Sequence, residues 1–321
     1  MDLTALRTFR VVARHEHISR AAAELRVAQP AVSRTIARLE AELGVPLFDR
    51  QGRSVRLNRY GSLFLRRVER ALGELDDARR ELADAAGLDQ GRVVVAAETL
   101  LTLSSLLSAF RAAHPGVEIR LHQSTAEVML RQLAAREVDY CVASQPLPGA
   151  GLRSVVLMEE DVLLAVPPGH RLAGRGSVGL ADVMDEPFIT TRPGHWQRAL
   201  LDRLFAAAGR TPVVTCEGDE PAATQFMIGA GLGIGLIPQI ARNESAEAPV
   251  HWLRLDVPGC RRTLSLVRRA DTYVSEAERR FEEAAAAHFA GRGTPYGAST
   301  DSGRRHASPP PGEGSCRPPT P

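Results

Sequence analysis

The sequence is short of several residue types, and each shortage argues against a class of protein. None of its 321 residues is lysine, so all 40 basic residues are arginine, which we attribute to a GC-rich genome rather than to a particular site. Four scattered cysteines without a Cys-x-x-Cys pair argue against a disulfide framework and a thiolate metal site. No apolar run reaches the ~18 residues of a membrane span and no signal peptide is evident, so we expect a cytoplasmic protein with reduced thiols.

Residues that would hold a metal or a cofactor are not grouped in the sequence. The nine histidines form no ligand cluster, and His15 and His17 flank Glu16 in what we interpret as a surface loop. The glycines of residues 229–235 invite comparison with a dinucleotide-binding loop. That loop leads from a strand into a helix, whereas this segment leads from a predicted helix into a predicted strand. We therefore predict no metal and no cofactor, and we interpret these glycines as a tight turn.

Positive charge is concentrated at the start of the chain. The formal net charge is only +2, but residues 1–70 contain 14 arginines against 7 aspartates and glutamates. That segment therefore carries about +7, and the remainder is net acidic. A basic segment on such a body is typical of proteins that bind nucleic acid through one domain.

Within the basic segment, residues 19–44 read as two short helices joined by a turn. Pro30 fits the first turn of the second helix, and Gly44 followed by Pro46 ends it. Apolar residues at spacings of four, three and four predict one buried face; they are Val32, Ile36, Leu39 and Leu43. The opposite face carries hydroxyl, amide and guanidinium groups, which can read base edges in a DNA major groove. An ordinary helical hairpin with a solvated polar face is the alternative.

A basic hairpin follows the second helix. Residues 47–57 read as a wing in which Arg50, Arg53 and Arg56 alternate along an arm that turns at Gly52. Guanidinium groups at this spacing are placed to contact phosphates or the minor groove. A solvated basic turn is the alternative. A first helix over residues 2–14 would pack on the helical pair.

The helices and the wing resemble the winged helix-turn-helix of the LysR-type transcriptional regulators. The residues that carry the resemblance are Ala21-Ala22, Leu25, Gln29-Pro30-Ala31-Val32-Ser33-Arg34, Ile36, Leu39-Glu40, Leu43-Gly44 and Leu47-Phe48-Asp49-Arg50. The match is dense and nearly gapless, and a looser resemblance continues to about Phe289. Two positions depart from the family pattern. Ala28 stands where a hydroxyl residue often caps the recognition helix, a loss of ~1 kcal/mol, and Asn58 replaces the usual threonine after Leu57.

The resemblance implies a sequence-specific DNA-binding regulator, with residues 1–58 as an all-α winged helix-turn-helix domain. We expect the recognition helix to contact bases and the wing to contact the DNA backbone. The predicted DNA-binding residues are Gln29, Pro30, Ser33, Arg34, Arg38, Arg50 and Arg53. The DNA would be a double-stranded promoter region, and RNA polymerase is a further partner open to such a regulator.

A long linker helix is predicted over residues 59–87, capped by Asn58. Its apolar residues keep a three-four rhythm that Arg79 interrupts; they are Leu65, Val68, Leu72, Leu75 and Leu82. Because only one face is apolar and no other core is near in sequence, we expect the same helix of a second subunit as its partner. Such pairing places two recognition helices on a two-fold DNA site. The resemblance implies a homodimer or, more often, a homotetramer.

From Arg92 onwards, apolar runs alternate with helical stretches, which predicts an α/β fold. The resemblance implies a two-lobed effector-binding domain over residues 92–290, similar to periplasmic binding proteins. Lobe one would comprise residues 92–160 and 269–290 and lobe two residues 161–265, with crossing strands at 161–166 and 263–268. The predicted strands are 93–97, 117–122, 138–143, 162–166, 187–190, 213–216, 233–237 and 263–267, and the predicted helices are 102–113, 126–135, 194–208, 220–230 and 275–289.

Loops at the carboxyl ends of these strands would meet in a cleft between the lobes. Hydroxyls and free N–H groups there can bind a polar group of a small molecule. The candidate effector-binding residues are Glu98, Thr99, Ser124, Thr125, Thr190, Thr191, Arg192 and Asp219. For each residue taken singly, a role in capping a helix is an equally good interpretation. Glu98, Asp219 and Glu220 would make the cleft partly acidic.

Residues 291–321 lie outside the resemblance and are rich in Gly, Ser, Arg and Pro, which predicts a disordered tail. Two other functions stay open: an architectural DNA-binding protein without a ligand, and an enzyme built on the lobes and tethered to DNA. No metal set, nucleophile elbow or phosphate loop supports an enzyme. The favoured interpretation is a transcriptional regulator whose activity responds to a small molecule bound between the two α/β lobes.

Overall fold

The structure is a computed structural model, and it describes residues 1–51, 54–87, 91–218, 221–244 and 249–290. For residues 50, 51, 54, 221, 222, 243 and 244 it describes the backbone alone. Arg53, Asp219 and the 291–321 tail, all named in the sequence predictions, lie outside the described residues. The described chain forms a helical N-terminal domain with a two-stranded wing, a long helix, and an α/β region of two lobes.

The N-terminal domain packs three helices and a hairpin around one core. Its elements are α1 Leu3–His15, α2 Ile18–Leu25, α3 Gln29–Leu43, β1 Phe48–Gln51 and β2 Ser54–Leu57. Ala21 and Ala22 are buried, so α2 can approach its neighbours closely, around a core that includes Phe9, Val32 and Leu39. The two wing strands pair antiparallel. The winged helix-turn-helix fold predicted for this segment is confirmed.

The long helix, α4 Arg59–Ala85, has 27 residues and spans ~40 Å. Its N-cap is Asn58, whose side chain accepts hydrogen bonds from the N–H groups of Tyr60 and Gly61, as predicted. Val68 and Leu72 are buried in the core of the N-terminal domain, whereas Leu75 and Leu82 are exposed. The expectation that no core lies near this helix is therefore wrong for its first half. The first part of the predicted apolar face therefore packs in that core, and the second part is exposed and open to a partner.

Lobe one is a mixed sheet with helices on its faces. Its elements are β3 Arg92–Ala97, α5 Ser104–Ala113, β4 Glu118–Gln123, α6 Ala126–Ala134 and β5 Tyr140–Ala143, followed by the first part of β6 Leu152–Val166 and, late in the chain, β12 Arg261–Arg269 and α10 Glu276–Phe289. The strand order is β4-β3-β5-β12-β6, with β3 parallel to both β4 and β5. The core includes Val95, Phe110 and Phe281. The parallel β-α-β arrangement follows the predicted alternation of strands and helices.

Lobe two is built on the second part of β6. Its other elements are β7 Ser177–Val178, β8 Pro187–Thr190, α7 Trp196–Ala207, β9 Val213–Glu217, α8 Pro221–Gly229, β10 Gly235–Pro238, α9 Gln239–Glu244 and β11 His251–Leu255. Strands β10 and β11 pair antiparallel with β6, and β8 pairs parallel with β9. The predictions did not include β7, α9, β11 or residues 152–161 of β6. These elements are short or carry many polar residues, so apolar runs alone do not reveal them.

The strands that connect the lobes differ from the prediction in one respect. Residues 152–161 of β6 pair with β12, and residues 162–166 pair with β10 and β11, so β6 crosses between lobes near residue 161 as expected. β12, however, pairs along its whole length with β6 and also with β5, and Leu264 and Leu266 lie in the core of lobe one. Residues 261–265, predicted to belong to lobe two, therefore lie in the sheet of lobe one.

Candidate functional site

The exposed face of α3 carries the polar residues that the sequence singled out. Gln29, Pro30 and Arg34 are exposed and Ser33 is half-buried, while Val32 and Leu39 on the opposite face are 1% exposed. The Gln29 Nε2 donates to Ser33 Oγ at 2.9 Å, which orients both side chains one turn apart. Arg34 makes no ion pair with the residues that the structure describes. Its guanidinium is therefore available to an external acceptor.

The two ends of the exposed face of α3 differ in their side-chain contacts. Ala28 is the N-cap of α3 and provides no side-chain cap, as the departure from the family pattern predicted. Arg38, farther along the helix, lies 3.4 Å from the Asp2 carboxylate, and both side chains are about 60% exposed (62% and 60%). An exposed ion pair of this kind is worth ~0–1 kcal/mol, so a phosphate can compete for Arg38.

The wing is held in a fixed position relative to α3. Glu40 Oε1 accepts hydrogen bonds from the N–H groups of Leu47 (2.7 Å) and Phe48 (3.2 Å), which ties the start of the wing to the recognition helix. Gly61 at the start of α4 packs so closely on the Leu47 carbonyl that a Cβ would not fit there. The sequence predictions gave Glu40 no structural role. The only feature that could have revealed this role in the sequence is a carboxylate one turn before the end of α3.

Of the wing arginines, Arg50 lies in β1, opposite Val55 in β2. Arg56, which alternates with it in sequence, is exposed in β2 opposite Asp49. Arg53 lies outside the described residues. The described part of the wing therefore has one arginine in each strand.

Between the lobes, Glu98 is the most buried of the candidate effector residues, with 2% of its surface exposed. Its Oε1 accepts from Gln145 Nε2 at 2.8 Å, and backbone N–H groups of Ser144 and Trp196 also donate to the carboxylate. Burial raises the pKa of Glu98 to about 7, against the opposing effect of these donors and of Arg262. Because Trp196 begins α7 in lobe two, this carboxyl group of lobe one is held by both lobes.

Among the neighbouring candidate effector residues, some have structural roles and one lines a cavity. Thr125 caps α6, accepting from the Val128 N–H at 3.4 Å, and its methyl group lies 3.8 Å from the point that a Cβ on Gly194 would occupy. Ser124 is buried, and its N–H donates to the Ala97 carbonyl at 3.0 Å. Thr99 is partly exposed and lines a small cavity between the lobes. Ser124 and Thr125 thus have structural roles, while Thr99 lines the cavity.

In lobe two, Thr190 and Thr191 are buried at the end of β8, and Arg192 is exposed. The Thr190 carbonyl accepts from the Gly218 N–H at 3.0 Å, which joins the loops after β8 and β9. The Thr191 Oγ1 has no hydrogen-bond partner among the described residues. Asp219, the residue after Gly218, lies outside the described residues. The predicted loops of lobe two therefore converge at one end of its sheet.

Several residues of this region were missed by the sequence predictions. Gln145 joins the lobes, since its Nε2 donates both to Glu98 and, at 3.4 Å, to the Gly194 carbonyl. Gln145 follows β5, so the rule that selected Glu98 after β3 would have found it. Arg262 is 1% exposed; its Nε donates to Glu160 Oε1 at 2.7 Å, and its guanidinium carbon lies 5.1 Å from the centre of the Trp196 ring. No local pattern distinguishes this arginine from the others in a strand.

One cavity that described residues line between the lobes is small. It is lined by Thr99, Thr102, Trp196, Gln197 and Arg262 among others, and its volume is about 10 Å³. That is about the space that one water molecule needs. A second cavity of about 700 Å³ lies between the N-terminal domain and lobe one, where α1 and α4 face α6. A molecule larger than water does not fit the cavity lined by Thr99 and Trp196 as it stands.

A network of charges that the sequence did not predict joins α4 to lobe one. Asp77, 6% exposed, accepts from Arg80 Nη2 (2.5 Å) and from Arg136 Nη1 (2.6 Å). Arg80 Nη1 reaches Glu278 Oε1 at 2.5 Å and Asp139 Oδ1 at 3.1 Å. Gly73 leaves room for the Arg136 side chain to lie against α4. The end of the linker helix is thereby fixed to the sheet and last helix of lobe one.

Two cysteines of the described ranges, Cys141 and Cys260, are buried. Burial raises the pKa of the Cys141 and Cys260 thiols to about 12, which keeps both protonated. No cluster of three potential metal ligands occurs among the described residues. Within the same residues, no helix is long and apolar enough to cross a membrane.

Comparison with known proteins identifies the family. Residues 3–62 match the bacterial regulatory helix-turn-helix protein of the lysR family, and residues 86–290 match the LysR substrate binding domain. The chain belongs to the LysR family. The uncharacterized HTH-type transcriptional regulator YybE of Bacillus subtilis is 33% identical over 294 residues, 90% of this chain and 99% of that one. The transcriptional dual regulator GltC of Bacillus subtilis is 30% identical over 288 residues, 88% and 96% of the two chains.

Solved structures of LysR-family regulators share the fold. A variant of full-length OxyR from Pseudomonas aeruginosa superposes with a TM-score of 0.68 at 23% identity, covering 90% of this chain and 94% of that one. Full-length CbnR in complex with its target DNA superposes with a TM-score of 0.60 at 24% identity. The match covers 89% of this chain and 99% of that one. This LysR-family chain is a transcriptional regulator with a DNA-binding domain and an effector-binding domain. Its families and relatives are regulators, which goes against the tethered enzyme.

Proposed function

We propose that α3 reads promoter DNA in the major groove and that the wing contacts the DNA backbone. The observation that carries this is the exposed face of α3, where Arg34 projects without an ion-pair partner among the described residues opposite a fully packed core. The residues assigned to DNA are Gln29, Pro30, Ser33, Arg34 and Arg38 on the helix and Arg50 and Arg53 on the wing. Arg34 and Gln29 suit guanine and adenine edges, respectively.

The regulator acts as a homodimer through α4, and pairs of dimers form a homotetramer. The exposed residues Ala71, Leu75, Ala78, Leu82 and Ala85 recur at spacings of four, three, four and three, the spacing of a coiled-coil seam. Pairing along this seam gives a two-fold DNA site. The promoter-bound protein works in the cytoplasm and can contact RNA polymerase.

The effector binds between the two lobes. Glu98, Thr99, Ser124, Thr125, Thr190, Thr191, Arg192 and Asp219 are the residues assigned to this cleft. Effector binding changes the angle between the lobes, and the charge network of Asp77, Arg80 and Arg136 passes that change to α4. The bend of the promoter DNA then changes with the spacing of the recognition helices.

Footprinting on the DNA upstream of the protein's own gene, with and without a panel of metabolites, tests this function. A protected two-fold site whose length changes with one compound is the expected result. Protection that is indifferent to sequence and unmoved by every compound would instead favour an architectural DNA-binding protein.

The role of Arg34 is tested on the protected site. Because a bidentate arginine contact discriminates by ~1–3 kcal/mol, we expect Arg34→Ala to weaken binding to that site about 10- to 100-fold. Binding to a scrambled duplex at the same salt concentration should change far less. Arg111→Ala removes an exposed arginine from α5 in lobe one and should alter neither. Equal losses on both duplexes for Arg34→Ala would contradict a base-reading role.

A further inference from the structure

The carboxyl group of Glu98 has an oxygen that nothing in the described structure binds. Glu98 follows β3 at the carboxyl end of the lobe-one sheet, and its Oε1 is held by Gln145. The Oε2 is buried and has no hydrogen-bond partner among the described residues. A buried carboxylate oxygen left unpaired costs more free energy than a typical hydrogen bond returns. A donor that reaches this oxygen is therefore favoured.

The charges around Glu98 determine the kind of donor. Arg262 is the cation whose charge acts on it, and Arg262 already forms a close ion pair with Glu160 in β6. Glu160 Oε2 is also occupied, since it accepts from the Ile240 N–H at 2.7 Å. Two carboxyl groups thus share one guanidinium, which leaves this wall of the cleft short of positive charge. A ligand carboxylate here would face repulsion in a poorly solvated space.

Lobe two adds buried polar groups that can accept or donate. The Thr191 Oγ1 and both amide atoms of Gln225 lack partners among the described residues, and the two side chains are 4% and 0% exposed. Gln225 lies one turn before Ile228, which packs with Ile189 and Ile237 at the base of β8 and β10. A hydroxyl and an amide accommodate ligands of either sign. Arg192, the cation assigned to this cleft, is exposed, whereas Glu98 is 2% exposed, so Glu98 decides the charge of a group that binds at its own free oxygen.

We infer that Glu98 selects the effector: its free carboxylate oxygen takes the ammonium group of a small organic amine, and it disfavours a carboxylate at the same position. This inference rests on the proposed interlobe effector site. An ammonium group has three N–H donors, so an amine bound at Oε2 would also compete with the Gln145 and Trp196 donors on Glu98, which now hold the lobes together. The cleft would then open by the loss of contacts that lie beside its small cavity.

Trp196 provides a direct readout of this event. The chain has two tryptophans, so Trp252→Phe in the full-length protein leaves Trp196 as the single indole, beside Arg262 and next to the Glu98 carboxylate. Putrescine, 1,4-butanediol and succinate share a four-carbon skeleton and differ in the charge of their ends. At about pH 8, above the pKa of Glu98 of about 7, the carboxyl group is ionised. At that pH and equal ionic strength, we expect putrescine to shift the Trp196 emission with saturation, butanediol to act at least about tenfold more weakly, and succinate to have no effect.

Variants separate Glu98 from general effects. Glu98→Gln should weaken the putrescine response about tenfold or more, while Glu159→Gln, an exposed position of β6, should leave it unchanged. Gln145→Ala removes the donor that competes for Glu98 and should strengthen the putrescine response. That opposite change keeps the test decisive even if Glu98→Gln fails to fold.

Three outcomes would overturn the inference: a saturable response to succinate, a butanediol response equal to that of putrescine, or no response to putrescine. The footprint without any added compound reports separately on the regulator. A protein that binds putrescine but protects no site would sink the DNA-reading proposal alone, whereas a protected site with no putrescine response would sink the selection by Glu98 alone.

Discussion

At the scale of single residues, the buried carboxyl group of Glu98 makes the stability of the folded chain depend on the protonation state of one side chain. Burial raises its pKa from the ordinary 4.5 to about 7. Between these values the carboxyl group ionises in the unfolded chain but stays protonated in the folded one. Stability is therefore lost as the pH rises from about 4.5 to 7, and the full cost remains above that window.

We expect Glu98→Gln to remove this pH dependence. Relative to wild type, the variant should gain stability as the pH rises through the window, by up to about 3 kcal/mol, and the difference should be constant above about pH 7. Urea unfolding at intervals from pH 4.5 to 8 measures it. Glu159→Gln, whose carboxyl group is exposed, is the matched control. Parallel curves for wild type and Glu98→Gln would show that this group does not titrate in the window.

The sequence identifies some cleft residues and not others for a definite reason. Glu98 and Thr191 follow predicted strands, and strand ends can be located from apolar runs. Gln145 follows β5 by the same rule, although only the structure shows that it joins the two lobes. Arg262 lies inside β12 and is buried because Glu160 stands opposite it in β6. Such pairing depends on strand register across about 100 residues, which a local pattern does not encode.

At the scale of elements, α4 has two distinct partners on different faces. Its first half is packed by the N-terminal core, and Asp77, Arg80 and Asp84 face lobe one, where Asp84 accepts from Tyr273 Oη at 3.0 Å. Its length, cap and apolar residues could be predicted from the sequence. Which face of α4 packs on which partner could not be predicted. The groups that bind Asp77 come from positions 59 and 196 residues away in the sequence.

Asp77→Asn tests whether this network fixes α4 to lobe one. Burial works against the charged form, but hydrogen bonds from Arg136 and Arg80 outweigh it and lower the pKa of Asp77, so the carboxylate is charged at neutral pH. Removing one partner of a buried ion pair typically costs ~3–5 kcal/mol, and the partial exposure of Arg80 reduces that here to about 2–3 kcal/mol. Urea unfolding together with hydrogen exchange of α4 measures the loss.

The matched control for Asp77→Asn is Asp76→Asn, the same chemical change one position away on an exposed carboxylate that lies 3.8 Å from Arg79. It should change stability by less than about 0.5 kcal/mol. Equal effects of the two substitutions would mean that the network does not hold the helix on lobe one.

At the scale of the whole molecule, the α4 seam connects the fold to the proposed assembly. Leu82 is 70% exposed and Leu75 is 42% exposed in the single chain, so neither contributes much to its stability. Both lie on the side of α4 opposite the buried Asp77. A partner helix would bury them at little cost to the folded subunit, and each would then gain roughly 1.5–3 kcal/mol.

Leu82→Glu should therefore dissociate the dimer without unfolding the subunit. The substitution removes two leucines from a symmetric seam and brings two like charges together, so we expect the dimer dissociation constant to rise about 100-fold or more. Sedimentation velocity measures the mass, thermal unfolding checks the subunit, and the footprint should lose its two-fold extent. Ala83→Glu adds the same charge one residue along α4, off the seam, and should preserve the mass. A Leu82→Glu protein that sediments as wild type would place the subunit contact elsewhere than on α4, and the proposed arrangement of the recognition helices would fall with it.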